Sequence, residues 1–166
     1  PIDGHQWLQT NGAVADTTFP YQAQAATCTV TASTPRAFSQ IKDVYYCHNT
    51  APNTSYANYL NGQKLPKESK QTTVCNDVDL YNLLKNGPVS VGIDGDVIQH
   101  YTGGIFDSPC IRFSHAVIAV GYGVATNGTQ YWIIRNSWAA TWGEYGYIRV
   151  QRDAGNHNSC FVGGHY

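Results

Sequence analysis

SHAVIAVGYGVATNGTQYWIIRNSWAATWGEYGY, residues 114–147, is the stretch around which the chain is organised. It holds His115 at the head of an apolar run. A second apolar run, Tyr131 to Ile134, leads into Arg135, Asn136, Ser137 and Trp138. Asn127-Gly128 between them predicts an antiparallel hairpin with a lengthened loop. A hairpin brings the start of its first strand near the end of its second, so His115 and Asn136 are expected to be neighbours. An Asn oxygen accepting from one ring nitrogen fixes the tautomer and ring plane of a histidine and leaves the other nitrogen for a nucleophile. A cysteine thiol suits that role, because Cys-His-Asn is the thiol counterpart of Ser-His-Asp. Trp138 is placed to cover the His-Asn bond. On the pair alone, a structural histidine at a strand end is the commoner case.

The longer pattern changes this reading. His-Ala-Val, Val-Gly-Tyr-Gly, Tyr-Trp-Ile-Ile-Arg-Asn-Ser-Trp and Trp-Gly-Glu-Tyr-Gly-Tyr follow one another over 115–147. In this order and at these distances they resemble the papain-like cysteine peptidases of the papain and cathepsin L group. The resemblance implies that His115 is the catalytic base, that Asn136 orients it and that Trp138 shields their bond.

The chain has 166 residues and a net charge of -1, from 10 Lys and Arg against 11 Asp and Glu. That length suits one ordinary domain with its own core. The charge gives no reason to expect a nucleic acid or an anionic membrane as partner. No apolar run is long enough to cross a bilayer. The chain opens at Pro1 and has no methionine, which is expected of a processed or excised product. Five cysteines are dense for a reduced compartment, and the odd number suggests one that pairs outside the chain. Asn53-Thr54-Ser55 and Asn127-Gly128-Thr129 are glycosylation sequons, in keeping with a secretory route. Neither CxxC nor HxxxH occurs, so a zinc site is not expected. The expected location is lysosomal, vacuolar or secreted.

Ile2 to Asn11 reads as a short helix stopped at Gly12. Phe38 to Tyr46 is expected to contain a strand. Thr50 to Lys70 is a polar stretch with Pro52 and Pro66, read as a surface insertion that is either a glycosylated loop or a partner or substrate edge. Cys47 and Cys75 bracket it, and a bond between them would staple its base. Residues 76–86 read as a helix capped by Asn76, with Val78, Leu80, Leu83 and Leu84 facing inward and Gly87-Pro88 ending it. Val97 to Tyr101 reads as a turn of helix. Strands are expected near 89–95, 104–107, 115–123, 130–136, 146–152 and 160–163, mostly sequential and antiparallel, forming a partly closed sheet or barrel.

The resemblance extends this to an α+β architecture. Residues 13–166 would be mostly the β-rich right half of a two-domain papain-like fold. Residues 1–12 would be a helix of the left half, starting directly behind the family's Cys-x-Gly-Gly motif. Phe19-Pro20-Tyr21 stands where the family has Tyr-Pro-Tyr, and Cys28 follows at family spacing with its usual partner upstream. Cys110 and Cys160 match the family's disulfide in this half. Gly92 and Ala116 take positions lining the pocket for the second substrate residue before the cut. Counting five positions past Cys160 places His165 at that pocket's floor. Alternatively, His165-Tyr166 aligns with the family's final Ser-Tyr, or the end is simply disordered. Ser114 replaces the usual Asp or Asn, keeping a backbone carbonyl for the substrate amide. Ala139 replaces a glycine, and if that position needs positive φ the substitution costs about 1 kcal/mol.

The family's nucleophile lies in Cys-Gly-Ser-Cys-Trp at a helix start, where the helix dipole and an imidazolium hold a thiolate. None of Cys28, Cys47, Cys75, Cys110 or Cys160 has that context, and the oxyanion-hole glutamine is also missing. The reading that follows is the heavy chain of a cysteine endopeptidase acting on peptide or protein substrates. An N-terminal light chain, linked through Cys28, would bring the thiol and the glutamine, and the chemistry needs no metal or organic cofactor. The alternatives are a catalytically incomplete fragment or relative that binds or inhibits, and an unrelated β-rich binding module.

Overall fold

The structure, a computed structural model, describes residues 7, 8, 10–37, 45–47, 70–72, 77–110 and 114–152. Residues 7, 8, 10 and 11 are helical, and Gly12 closes the turn at φ 72° with its N–H on the Leu8 carbonyl. This is the expected glycine stop. β1 (Tyr45–Cys47) and β2 (Lys70–Thr72) pair in parallel, so a strand pair stands at the base of the insertion. Residues 50–69 of the insertion, Cys75, Cys160 and His165 lie outside the described residues, as does the expected strand at 160–163.

Helix α1 (Asp77–Leu84) buries Leu80 and packs Tyr81, Leu83 and Leu84 on the core. Gly87 follows at φ 145°, and β3 (Val89–Ile93) begins at once. The main sheet also contains β4 (Ile105–Phe106), β5 (His115–Val124), β6 (Gln130–Arg135) and β7 (Tyr147–Gln151), in the order β3-β5-β6-β7-β4. Val89, Val91, Ile93, Val117, Ala119, Trp132, Ile134, Ile148 and Val150 are buried on one face, as period-2 alternation requires. Each fully buried Ile contributes about 2 kcal/mol relative to exposure.

Three of the four pairings in the main sheet are antiparallel, as expected, and two details differ. The fourth pairing makes the sheet mixed, because β4 runs parallel to β7. The topology demands it. Three antiparallel steps, β3 to β5 to β6 to β7, leave β7 opposite in sense to β3. Residues 94–104 carry the chain from the end of β3 across the sheet, roughly 19 Å at strand spacing, to the far edge. β4 therefore starts from the end that β3 reached, and runs the same way as β7. Among the described residues the sheet is also open, with β3 and β4 as its edges. The crossing segment buries Ile98 and Tyr101 in the core. Its expected turn of helix is a series of turns, with Tyr101 N–H on the Ile98 carbonyl.

The hairpin carries a further feature. Its loop holds Gly128 at φ 86°, with Ala125 N–H on the Thr129 carbonyl and Thr129 N–H on Asn127 Oδ1. That loop sets Val124 opposite Gln130 and Gly121 opposite Ile133. A straight count onward would place Asn136 opposite Ile118, on the other face from His115. A one-residue bulge between Ala119 and Gly121 shifts the register so that Ile118 faces Arg135. Asn136 thereby joins the face that carries His115.

Candidate active site

Four segments converge at one end of the sheet: the crossing segment 94–104, the start of β5, the end of β6, and the turn 136–146 into β7. His115 and Asn136 are diagonal neighbours there, within side-chain reach. His115 Nε2 lies 2.8 Å from Asn136 Oδ1. Asn136 Oδ1 also accepts the Ser137 backbone N–H at 2.7 Å. A backbone amide only donates, so that contact fixes Oδ1 as an acceptor and makes His115 Nε2 the protonated nitrogen. Nδ1 is left with no hydrogen-bond partner among the described residues. Asn136 is 8% exposed, and its Nδ2 is buried without an acceptor among the described residues. An orphaned buried donor costs about 1–3 kcal/mol.

Trp138 stacks on His115, ring centroids 4.8 Å apart and planes 27° from parallel. Trp142 meets Trp138 edge-on at 5.4 Å and donates its indole N–H to the Gln99 carbonyl at 3.2 Å. The turn is closed by Asn136 N–H on the Gly146 carbonyl and Gly146 N–H on the Trp142 carbonyl. It contains two non-glycine residues in the left-handed region, Ala139 at φ 75° and Tyr145 at φ 56°.

On the other side of His115 the chain comes equally close. Gly95 donates its N–H to Ser114 Oγ at 3.0 Å, and a Cβ at Gly95 would lie 2.9 Å from the His115 Cβ. Only glycine lets the crossing segment leave β3 at this distance. Gly92 pairs with Ala116 on the outer face of the sheet. Ala116 lines a cleft of about 230 Å³ there, together with Ser90, Ile118, Arg135, Asn136 and Ser137.

The structure thus brings His115, Asn136 and Trp138 together, and sets Ala116 with Gly92 and Ser114 beside them. Sequence reasoning missed Gly95, Arg135, Ser137 and Trp142 as neighbours of the site. Gly95 had a signal, a glycine just past a strand end. Arg135 and Ser137 flank Asn136, and period-2 alternation alone puts them on the outer face. Cys28 is a free, exposed thiol in an irregular segment. Cys110 is disulfide-bonded. Among the described residues no cluster of three or more His, Cys, Asp or Glu could hold a metal, and no helix is long and apolar enough to cross a membrane.

Comparison with known proteins gives a consistent result. The family model for papain family cysteine proteases matches residues 1–165. The senescence-specific cysteine protease SAG12 of Arabidopsis thaliana is 35% identical over 147 residues, covering 87% of this chain and 35% of that protein. Vignain of Phaseolus vulgaris is 34% identical over 149 residues, covering 87% of this chain and 34% of its own. The structure of the bromelain protease from Ananas comosus in complex with the E64 inhibitor superposes with a TM-score of 0.73 at 28% identity, covering 99% of this chain and 66% of that one. The open, mixed sheet matches the β-rich half of that fold. The chain spans about a third of the length of the curated relatives it matches.

Proposed function

This chain belongs to the papain family of cysteine proteases, and from that we propose that it is the histidine-bearing portion, the heavy chain, of a cysteine endopeptidase. The observation that carries the reading is the hydrogen bond from His115 Nε2 to an Asn136 oxygen, under the Trp138 ring, with Nδ1 left for a thiol. An N-terminal light chain supplies that thiol and the oxyanion-hole glutamine, and Cys28, free and exposed, is its disulfide partner. Cys110 pairs with Cys160, and Cys47 with Cys75. Residues 1–12 belong with the left half.

In the assembled site the thiol proton resides on His115 Nδ1, giving a thiolate–imidazolium pair. The thiolate attacks the peptide carbonyl, and the glutamine stabilises the oxyanion. As the C–N bond breaks, His115 gives its proton to the leaving amine. His115 then takes a proton from water as the water attacks the thioester, and returns it to the thiol on release of the acid. Asn136 keeps the ring plane fixed through both proton transfers. Gly92, Ala116 and His165 line the pocket for the second residue before the cut, and the Ser114 carbonyl accepts from the substrate amide. The location is vacuolar, lysosomal or secreted, and Asn127, exposed at the hairpin tip, is a glycosylation site.

The test is turnover of a fluorogenic peptide by the assembled protein. His115→Ala is expected to lower kcat by about 10²–10⁴-fold, and a thiol-alkylating reagent to abolish turnover. Alkylation-insensitive cleavage, or full activity in His115→Ala, would sink the reading. An assembled protein that binds peptides without cleaving them would favour a binding or inhibitory module.

A further inference from the structure

The turn that carries Trp138 is strained, and strained turns persist only where their surroundings over-determine them. One carboxylate of the turn itself does much of this, by reaching two other segments. Glu144 Oε1 accepts the Gly104 N–H at 3.0 Å and Arg149 Nη2 at 2.6 Å, and Oε2 accepts Arg149 Nε at 2.8 Å. Gly104 ends the crossing segment whose Gly95 abuts His115. Arg149 belongs to β7. The Tyr101 hydroxyl completes the joint, donating to the Gly104 carbonyl at 2.6 Å and accepting the Arg149 N–H at 3.3 Å. The turn is thus fastened to the crossing segment twice, at Gln99 through Trp142 and at Gly104 through Glu144.

We propose that Glu144 is a positioning residue for the site: its carboxylate locks the turn 136–146 to the crossing segment and so holds Trp138 on the face of His115. The proposal rests on the peptidase reading of that site. An ordinary surface ion pair is dispensable, worth about 0–1 kcal/mol. Glu144 differs in being half-buried, bidentate to one partner and bonded to a third donor from a separate segment. It also lies within the same closed turn as Trp138, between the Trp142 carbonyl and the Gly146 amide that close it.

The experiment compares Glu144→Asp, which withdraws the carboxylate by one methylene, with Glu144→Ala and Glu144→Gln, all in the assembled protein. Thermal melts establish which variants fold. In folded Asp and Ala variants kcat is expected to fall about tenfold or more, with KM within about twofold. The His115 Nε2–H NMR resonance and the near-UV circular dichroism of the tryptophan stack are expected to move with it. Glu144→Gln, which keeps the acceptor for Gly104, is expected to recover part of both. Unchanged kcat, or unchanged spectra, in a folded Asp or Ala variant overturns the proposal. The spectra need no turnover. A wild-type assembly that cleaves nothing therefore counts against the peptidase reading alone, and the spectra still decide the role of Glu144.

Discussion

Asn136 uses one oxygen twice, and that double use is what makes the histidine tautomer definite. The Ser137 amide holds the oxygen in place, and the imidazole then has only one way to bond to it. The sequence pattern announced His115, Asn136 and Trp138. It could not announce the Ser137 contact, which depends on a local backbone angle. Ala139 shows the converse. Its left-handed backbone, φ 75°, is a cost that the missing family glycine already suggested. A Cβ in that region costs about 1–2 kcal/mol, and a glycine loses about 0.5–1 kcal/mol of chain entropy. Ala139→Gly is therefore expected to raise stability by about 0.5–1 kcal/mol. Urea denaturation of the two proteins checks this, with kcat unchanged. A loss of stability would mean that the Ala139 methyl makes contacts that outweigh its strain.

Apolar runs, turn and cap signals and the family motifs made the elements legible in the sequence, and α1, β3, β5, β6 and β7 lie within a residue or two of where these placed them. Hydrophobic alternation carries no information on which strands share an edge, so the parallel β4–β7 pair was invisible. It also carries no register. The hairpin count from Asn127-Gly128 brought His115 and Asn136 close, but on a straight ladder it sets them on opposite faces. Gly121 within the strand was the available signal for the bulge that corrects this. The extra residue is Val120, since Ala119 and Gly121 pair with the consecutive residues Ile134 and Ile133. Deleting Val120 joins two registers that already fit, and moves neither. The expected outcome is a folded protein that keeps turnover within about tenfold of wild type, whereas deleting Val117 turns His115 to the other face and abolishes it. Steady-state kinetics with circular dichroism on both deletions reads this. Equal loss in the two would show that the twist introduced by the bulge, and not the register alone, places the pair.

At the scale of the molecule, the proposed reading gives residues 1–166 a base, His115, and an orienter, Asn136, and assigns the thiol to a second chain. Peptide hydrolysis at this site needs a nucleophile and oxyanion donors as well. Of the described cysteines, Cys28 sits in irregular chain with no helix N-terminus behind it, and Cys110 is held in a disulfide. The apolar surface carries the same message. Trp7 is 49% exposed and Tyr21 88%, and Ile118 and Val120 are also exposed on β5, a central strand of the sheet. Exposed apolar groups of this kind favour association. Residues 1–166 refolded by themselves are therefore expected to be poorly soluble and inactive, and to gain both solubility and turnover when refolded with the proposed N-terminal light chain. The measurement separates the chains under reducing denaturation and refolds this one with and without its partner. Cleavage of a fluorogenic dipeptide is then followed before and after thiol alkylation. Robust, alkylation-sensitive turnover by residues 1–166 alone would place the nucleophile among their own five cysteines, and would remove the need for a second chain.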